Sequence, residues 1–138
     1  MKEVVIADAG ALVAYHDQRD QHHQWAAAQM RGFYEPMWTC EAVLAEAAFL
    51  LLRGRVDPLP LILLVERGIL QMPLAFASEA GAIRKLMATY SSLAMSLADA
   101  CLVRLSELHP EVRVFTTDSD FRIYRRNVHQ EIPVLMPG

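Results

Sequence analysis

Long apolar runs, lysines and paired cysteines are all scarce in this chain, and each scarcity excludes something. A membrane-spanning helix needs about 20 consecutive apolar residues. The longest runs, over 42–52 and 59–65, fall short of that, and Glu46 interrupts the first. No basic, then apolar, then small-residue leader opens the sequence, so a soluble, cytoplasmic protein with no membrane partner is expected. Cys40 and Cys101 stand alone and far apart, giving neither a CxxC motif nor a disulfide framework. Both read as small buried apolar residues, although Cys40 falls in the first turn of a predicted helix, where a thiolate is favoured. Lysine occurs twice, as Lys2 and Lys85, against eleven arginines, and the net charge is −3. That charge argues weakly against non-specific nucleic-acid binding. Arginine suits bidentate phosphate contacts, but a GC-rich coding bias gives the same composition.

What is present is a chain of 138 residues, 54% hydrophobic and 21% charged, which fits one packed domain over 1–138. The β-branched run at 4–7 predicts a buried strand. Further strands are expected at 36–38, 69–72, 112–116 and 132–135, with Arg113 at an edge or rim. Asp20 can cap a helix ending near Arg31, before Gly32. Thr39 is the expected cap of a helix through Arg53, stopped by Gly54. Asp57-Pro58 opens a helix to about Arg67, Ser78-Glu79 one to about Thr89, and Ser96 caps one reaching His109-Pro110. A helical turn is expected over 121–125. No repeat, linker or low-complexity segment appears. Strands alternating with helices imply a mostly parallel sheet covered on both faces.

Against this background four carboxylates stand out. In "VVIADAGALVAY" Asp8 is the only charge, at the end of a buried strand. In "EAVLAEAAFLLL" Glu46 is alone between Ala42 and Leu52, and in "SLAMSLADACLV" Asp99 is alone between Tyr90 and Val103. In "VFTTDSDF" Asp118 and Asp120 follow the fourth strand. A buried carboxylate costs several kcal/mol unless it is paired, hydrogen-bonded or protonated. No Lys or Arg lies within a helical turn of Asp8 or Glu46, and Arg104 is off the face of Asp99.

Singly, most have a structural role open to them: Asp8 as a helix cap, Asp99 at a helix N-terminus, Asp118 and Asp120 in an Asx-turn. Glu46, in mid-helix, has none. Together, a shared divalent cation is the simpler solution. In open α/β sheets such a site forms beyond the carboxyl ends of the strands where strand order reverses. All-oxygen ligands favour Mg²⁺ or Mn²⁺ over zinc, and such ions assist in-line attack on phosphodiesters.

These four ordered motifs resemble those of PIN-domain ribonucleases, and most of all the small bacterial VapC-like toxins of type II toxin–antitoxin pairs. The resemblance spans essentially the whole chain. It implies a three-layer α/β/α sandwich with a central, mostly parallel sheet, and a metal-dependent endoribonuclease acting on RNA of the tRNA or ribosomal class. It implies that Asp8, Glu46, Asp99 and Asp118 are the catalytic, Mg²⁺- or Mn²⁺-binding quartet, with Thr116 and Asp120 in support. A homodimer and a cognate antitoxin are further implications. Many members carry Ser, Thr or Asn directly after the first acid; Ala9-Gly10 stands there in this chain.

Other features are weighed beside it. In "DFRIYRRNVH" Arg122, Arg125 and Arg126 surround Phe121 and Tyr124, a mixture suited to single-stranded RNA and equally to a turn with an apolar inner face. Arg53 and Arg55 could extend that patch. His16, His22 and His23 lack a further metal ligand and read as solvated. The helix opening at Pro58 is too apolar for full exposure and reads as core or as a dimer or antitoxin interface. A haloacid-dehalogenase-type phosphatase wants Asp-x-Asp after its first strand, and Gly10 takes the second acid's place. A receiver-like domain lacks its acidic pair in the same way. The remaining alternative is a catalytically silent RNA- or protein-binding module of the same fold.

Overall fold

The computed structural model describes residues 3–138. In chain order the elements are β1 (Val5–Ala7), α1 (Ala9–His16), α2 (His23–Arg31), β2 (Met37–Trp38), α3 (Glu41–Arg53), α4 (Leu59–Glu66) and β3 (Leu70–Gln71). There follow α5 (Phe76–Thr89), α6 (Leu97–Leu108), β4 (Arg113–Phe115), β5 (Arg125–Arg126), β6 (Gln130–Glu131) and β7 (Val134–Leu135), with short 3-10 turns at Ser91–Leu93 and Ser119–Arg122.

The five strands expected from the sequence form one sheet in the order β3-β2-β1-β4-β7. Every pairing in it is parallel, with Ile6 opposite both Trp38 and Val114. Parallel neighbours require crossovers, and the helices that supply them cover both faces. The result is a three-layer α/β/α sandwich. Val5, Ile6 and Ala7 are buried because β1 is the middle strand, covered on both faces. The chain steps outward from β1 through β2 to β3, then returns to the other side of β1 with β4. Strand order therefore reverses beside β1, and the carboxyl ends of β1 and β4 frame the crevice. On one face Phe115 of β4 packs against Trp25 at 5.2 Å and Phe33 at 5.4 Å, anchoring α2 over the sheet.

Several local expectations are corrected. Thr39 does not cap α3: Cys40 holds the cap position, and the Thr39 hydroxyl donates to the Ala7 carbonyl at 2.9 Å, tying β2 to β1. The segment expected to be one helical turn splits into the 3-10 turn and a two-stranded antiparallel hairpin, β5–β6. Arg113 sits in an interior strand rather than at an edge, half-buried, its guanidinium on Glu3. His23 is not freely solvated, since its Nδ1 bonds to the Ala14 carbonyl at 2.8 Å. α5 opens two residues earlier than expected, at Phe76. Lys2 lies outside the described residues. Among the described residues no helix is long and apolar enough to cross a membrane.

Candidate metal centre

Asp8 is the first residue beyond β1. Its backbone N–H donates to the Phe115 carbonyl at 2.9 Å, the last bond of the β1–β4 ladder. One carboxylate oxygen, Oδ1, accepts from the Ala9 N–H at 2.8 Å and caps α1. The other, Oδ2, accepts from the Thr116 hydroxyl at 2.6 Å. Thr116 follows β4, is fully buried, and its Oγ1 also accepts from the Asp118 N–H at 2.9 Å. One side chain thus fixes the spacing between the two acids at the carboxyl ends of β1 and β4. Asp118 in turn accepts from the Asp120 N–H at 2.9 Å, opening the 3-10 turn.

Asp99 reaches the same place from the first turn of α6. Ser96 caps that helix as expected, its Oγ accepting from the Asp99 N–H at 3.0 Å. The Tyr124 hydroxyl donates to Asp99 Oδ2 at 2.9 Å. Tyr124 is held by edge-on contacts with Tyr90 at 5.1 Å and Phe121 at 5.3 Å.

Carboxylate oxygens of Asp8, Asp99 and Asp118 lie within 4.8 Å of one another. Asp8 and Asp99 are buried and Asp118 is half-buried. Burial raises the Asp8 carboxyl from its ordinary 3.8 to about 7, the Thr116 hydrogen bond opposing and the Asp99 and Asp118 charges adding to the rise. Burial likewise lifts Asp99 to about 6, against the Tyr124 hydrogen bond and helped by the charges of Asp118 and Glu46. Among the described residues none of the three forms an ion pair with Arg or Lys. Arg104 faces Glu79 and Glu107 instead. Crowded, poorly solvated carboxylates without a basic partner are unfavourable as anions, and a divalent cation is the partner that an all-oxygen donor set suits. The residues fit such an ion.

A parallel α/β/α sandwich with an acidic cluster at its strand-order reversal defines the class: an open α/β domain whose candidate site suits a divalent cation. Its sequence matches the PIN domain over residues 5–127, and the chain belongs to that family. PIN domains are generally metal-dependent nucleases. No curated protein matches the chain.

The other site residues expected from the sequence fall into place unequally. Glu46 is half-buried on α3, outside the three-carboxylate cluster, yet near enough for its charge to act on Asp99. Asp120 is half-buried beside Asp118. Phe121 and Tyr124 are fully buried, so they brace the site from within and offer no face for base stacking. Arg126 is corrected too: it is buried, its Nη1 donating to the Ser106 carbonyl at 3.1 Å. Arg125 is folded back on the carbonyls of Arg122, Ile123 and Tyr124 at 2.8–3.1 Å. Of that trio Arg122 alone is exposed.

The sequence leaves Tyr124 equally open to base stacking and to the apolar inner face of a turn, and nothing local links it to Asp99, 25 residues away. The one local signal of burial is its place as the second member of an aromatic Phe121-x-x-Tyr124 pair. Gly10 has a physical reason of its own, since the Thr117 hydroxyl lies over it where a Cβ would overlap it; the departure directly after the first acid, at Ala9, has no structural explanation.

Proposed function

We propose that this protein is a Mg²⁺- or Mn²⁺-dependent endoribonuclease and the toxin of a type II toxin–antitoxin pair. The observation that carries the nuclease reading is the convergence of Asp8, Asp99 and Asp118 on one point at the strand-order reversal. Those three acids would hold the ion, with Glu46 facing it from α3 and Asp120 in support. A bound divalent ion supplies an activated water and charge stabilisation for in-line attack on a phosphodiester. The protein's own part is to hold the carboxylates ready. Thr116 fixes Asp8 against Asp118, Tyr124 orients Asp99, and the buried surround keeps these oxygens from being solvated by bulk water. Arg122, exposed just past Asp118, would contact a phosphate of the RNA. RNA of the tRNA or ribosomal class is the expected substrate.

The toxin reading is supported by the family resemblance and by the apolar surface of α3 and α4. Phe49, Leu52, Leu59 and Ile62 are exposed there, a patch suited to a second copy or a cognate antitoxin.

Incubating the purified protein with total cellular RNA and Mn²⁺ or Mg²⁺ tests the nuclease. Discrete fragments are expected, absent with EDTA and absent from Asp8→Asn. A folded, partner-free protein that cuts neither RNA nor DNA with either metal would instead favour a silent binding module. Co-expression with the adjacent reading frame tests the toxin: growth arrest on expression alone, relieved by that frame, is the expected result.

A further inference from the structure

A cavity of about 370 Å³, walled chiefly by Cys40, Glu41, Leu74, Phe76 and Leu97, takes no part in the metal centre. That volume is within the range of small-ligand pockets. Cys40 and Glu41 follow β2, and Leu74 and Phe76 follow β3. The cavity therefore lies at the same carboxyl edge of the parallel sheet as Asp8 and Asp118, which follow β1 and β4. β2 is the direct neighbour of β1, and the Thr39 hydroxyl ties the two together one residue before Cys40. Leu97 and Asp99 share the first turn of α6. Two residues apart on a helix, they point to nearly opposite sides of it, so that turn stands between the cavity and the acids. A helix is about 10–12 Å across with its side chains, a span that neighbouring nucleotides of an extended RNA strand cover.

We propose that this cavity holds a guanine base of the RNA substrate, close to the phosphate that is cut; the proposal rests on the nuclease reading. Phe121 and Tyr124 are buried and cannot stack on a base, whereas Phe76 and Leu97 are exposed at the mouth of the cavity with Leu74 buried behind them. An aromatic face and an apolar wall are what a splayed base of single-stranded RNA needs. Glu41 is exposed, is the one charged residue of the wall, and among the described residues has no ion-pair partner. Its charge repels a phosphate, so a base rather than the backbone enters. A carboxylate offers two acceptor oxygens and no donor. Guanine meets it with two adjacent donors, N1–H and the N2 amino group, and such paired, charge-assisted bonds are the strong ones. Adenine and cytosine set one amino donor beside a bare ring nitrogen, and uracil sets N3–H between two carbonyls. Each of these brings a lone pair against the carboxylate together with its donor.

The fixed placement of the cavity beside the acids has a direct consequence. A strand anchored by its base against Glu41 and Phe76 presents one particular phosphate to Asp8, Asp99 and Asp118, so cuts fall at a constant distance from a G.

The test titrates the full chain, in EDTA, with the 5′-monophosphates of guanosine, inosine, adenosine, cytidine and uridine, read by backbone amide NMR shifts. Inosine keeps N1–H and lacks the N2 amino group. The guanosine nucleotide should shift the amides of residues 40–42, 74–76 and 97 and bind about tenfold tighter than the inosine or adenosine nucleotide, the worth of one hydrogen bond to a charged group. Glu41→Gln, at an exposed position, should erase that difference. In parallel, the ends of RNA fragments made with Mn²⁺ are sequenced: the wild type should show G at one fixed position, and Glu41→Gln should not. Equal affinity for the five nucleotides, affinity for none, shifts away from the cavity, or cuts without a fixed G would each overturn the proposal. So would self-association that Phe76→Ser abolishes in a chain that discriminates no base, since the cavity would then be an interface between copies. Nucleotide binding needs no cleavage, so the two readings fail separately. A chain that selects the guanosine nucleotide and cuts no RNA retires the nuclease and keeps the base site, and one that cuts without preference does the reverse.

Discussion

Replacing Asp8 with Asn should make the metal-free protein more stable at pH 8 and less stable at pH 4.5. Burial lifts the Asp8 carboxyl from 3.8 to about 7, a difference worth about 4 kcal/mol. Between those values the folded protein keeps a proton that the unfolded chain has released. The stability associated with that proton is complete below pH 3.8 and is lost as the pH rises through about 7. Asn carries no charge and escapes this loss. It keeps an oxygen for the Ala9 N–H but turns an amide nitrogen toward Thr116, whose hydroxyl already accepts from Asp118. That mismatch costs about 1–2 kcal/mol at every pH. The balance is a gain of about 2–3 kcal/mol at pH 8 and a loss of about 1 kcal/mol or less at pH 4.5, growing to about 1–2 kcal/mol below pH 3.8. At about 3 °C per kcal/mol for a domain of this size, the melting temperature rises by about 6–9 °C at the upper pH.

Thermal unfolding of both proteins in EDTA, from pH 4.5 to 8, reads this as two curves that cross. Mn²⁺ supplies the second half of the test. At 100 times its dissociation constant an ion adds about 2.7 kcal/mol to the state that binds it, so the wild type should recover at pH 8 over half of the roughly 4 kcal/mol that the Asp8 anion costs. The Asn variant should gain little from the ion. Equal destabilisation by Asp8→Asn at every pH, or an undiminished Mn²⁺ response, would refute the reasoning.

Thr116→Val deletes the hydroxyl between Asp8 and the Asp118 N–H; a loss of about 1–3 kcal/mol is expected by urea unfolding, with at least tenfold weaker Mn²⁺ binding by calorimetry. Tyr124→Phe leaves Asp99 Oδ2 without its donor and should cost about 1–2 kcal/mol at pH 8. That cost should shrink below about pH 6, where Asp99 keeps its proton. Arg122→Ala, assayed on the Asp8→Asn background, should weaken RNA binding and flatten its salt dependence by about one phosphate contact, whereas Arg126→Met should leave binding unchanged.

The strands and most helix ends were legible because they rest on local chemistry. Val5-Ile6-Ala7 is a buried strand by composition, Ser96 caps α6 through its own hydroxyl, and Gly54 stops α3. What failed depended on neighbours distant in sequence. Thr39 has the chemistry of a cap, but the Ala7 carbonyl on the adjacent strand claims its hydroxyl first. Arg125 and Arg126 look like an exposed basic patch, but the hairpin turns them onto local carbonyls and the Ser106 carbonyl of α6. Tyr124 reads equally as a stacking surface and as part of an apolar inner face, and only its distant partners, Asp99 and Tyr90, decide for the second.

The acids invert the order in which the sequence ranked them. Glu46 had no structural excuse on paper, yet it is only half-buried and can keep its own hydration. Asp8 had the easiest excuse, as a helix cap, and it does cap α1. Capping nevertheless engages one oxygen, and the other faces Thr116 among two further carboxylates. The cap hydrogen bond lowers the cost of the charge, but burial outweighs it and the carboxyl still rises to about 7. A structural role and a ligand role are therefore not competing readings of Asp8. The cap fixes one oxygen so that the other is held still, and the residual cost of holding it there, about 4 kcal/mol, is the free energy that a bound cation can recover.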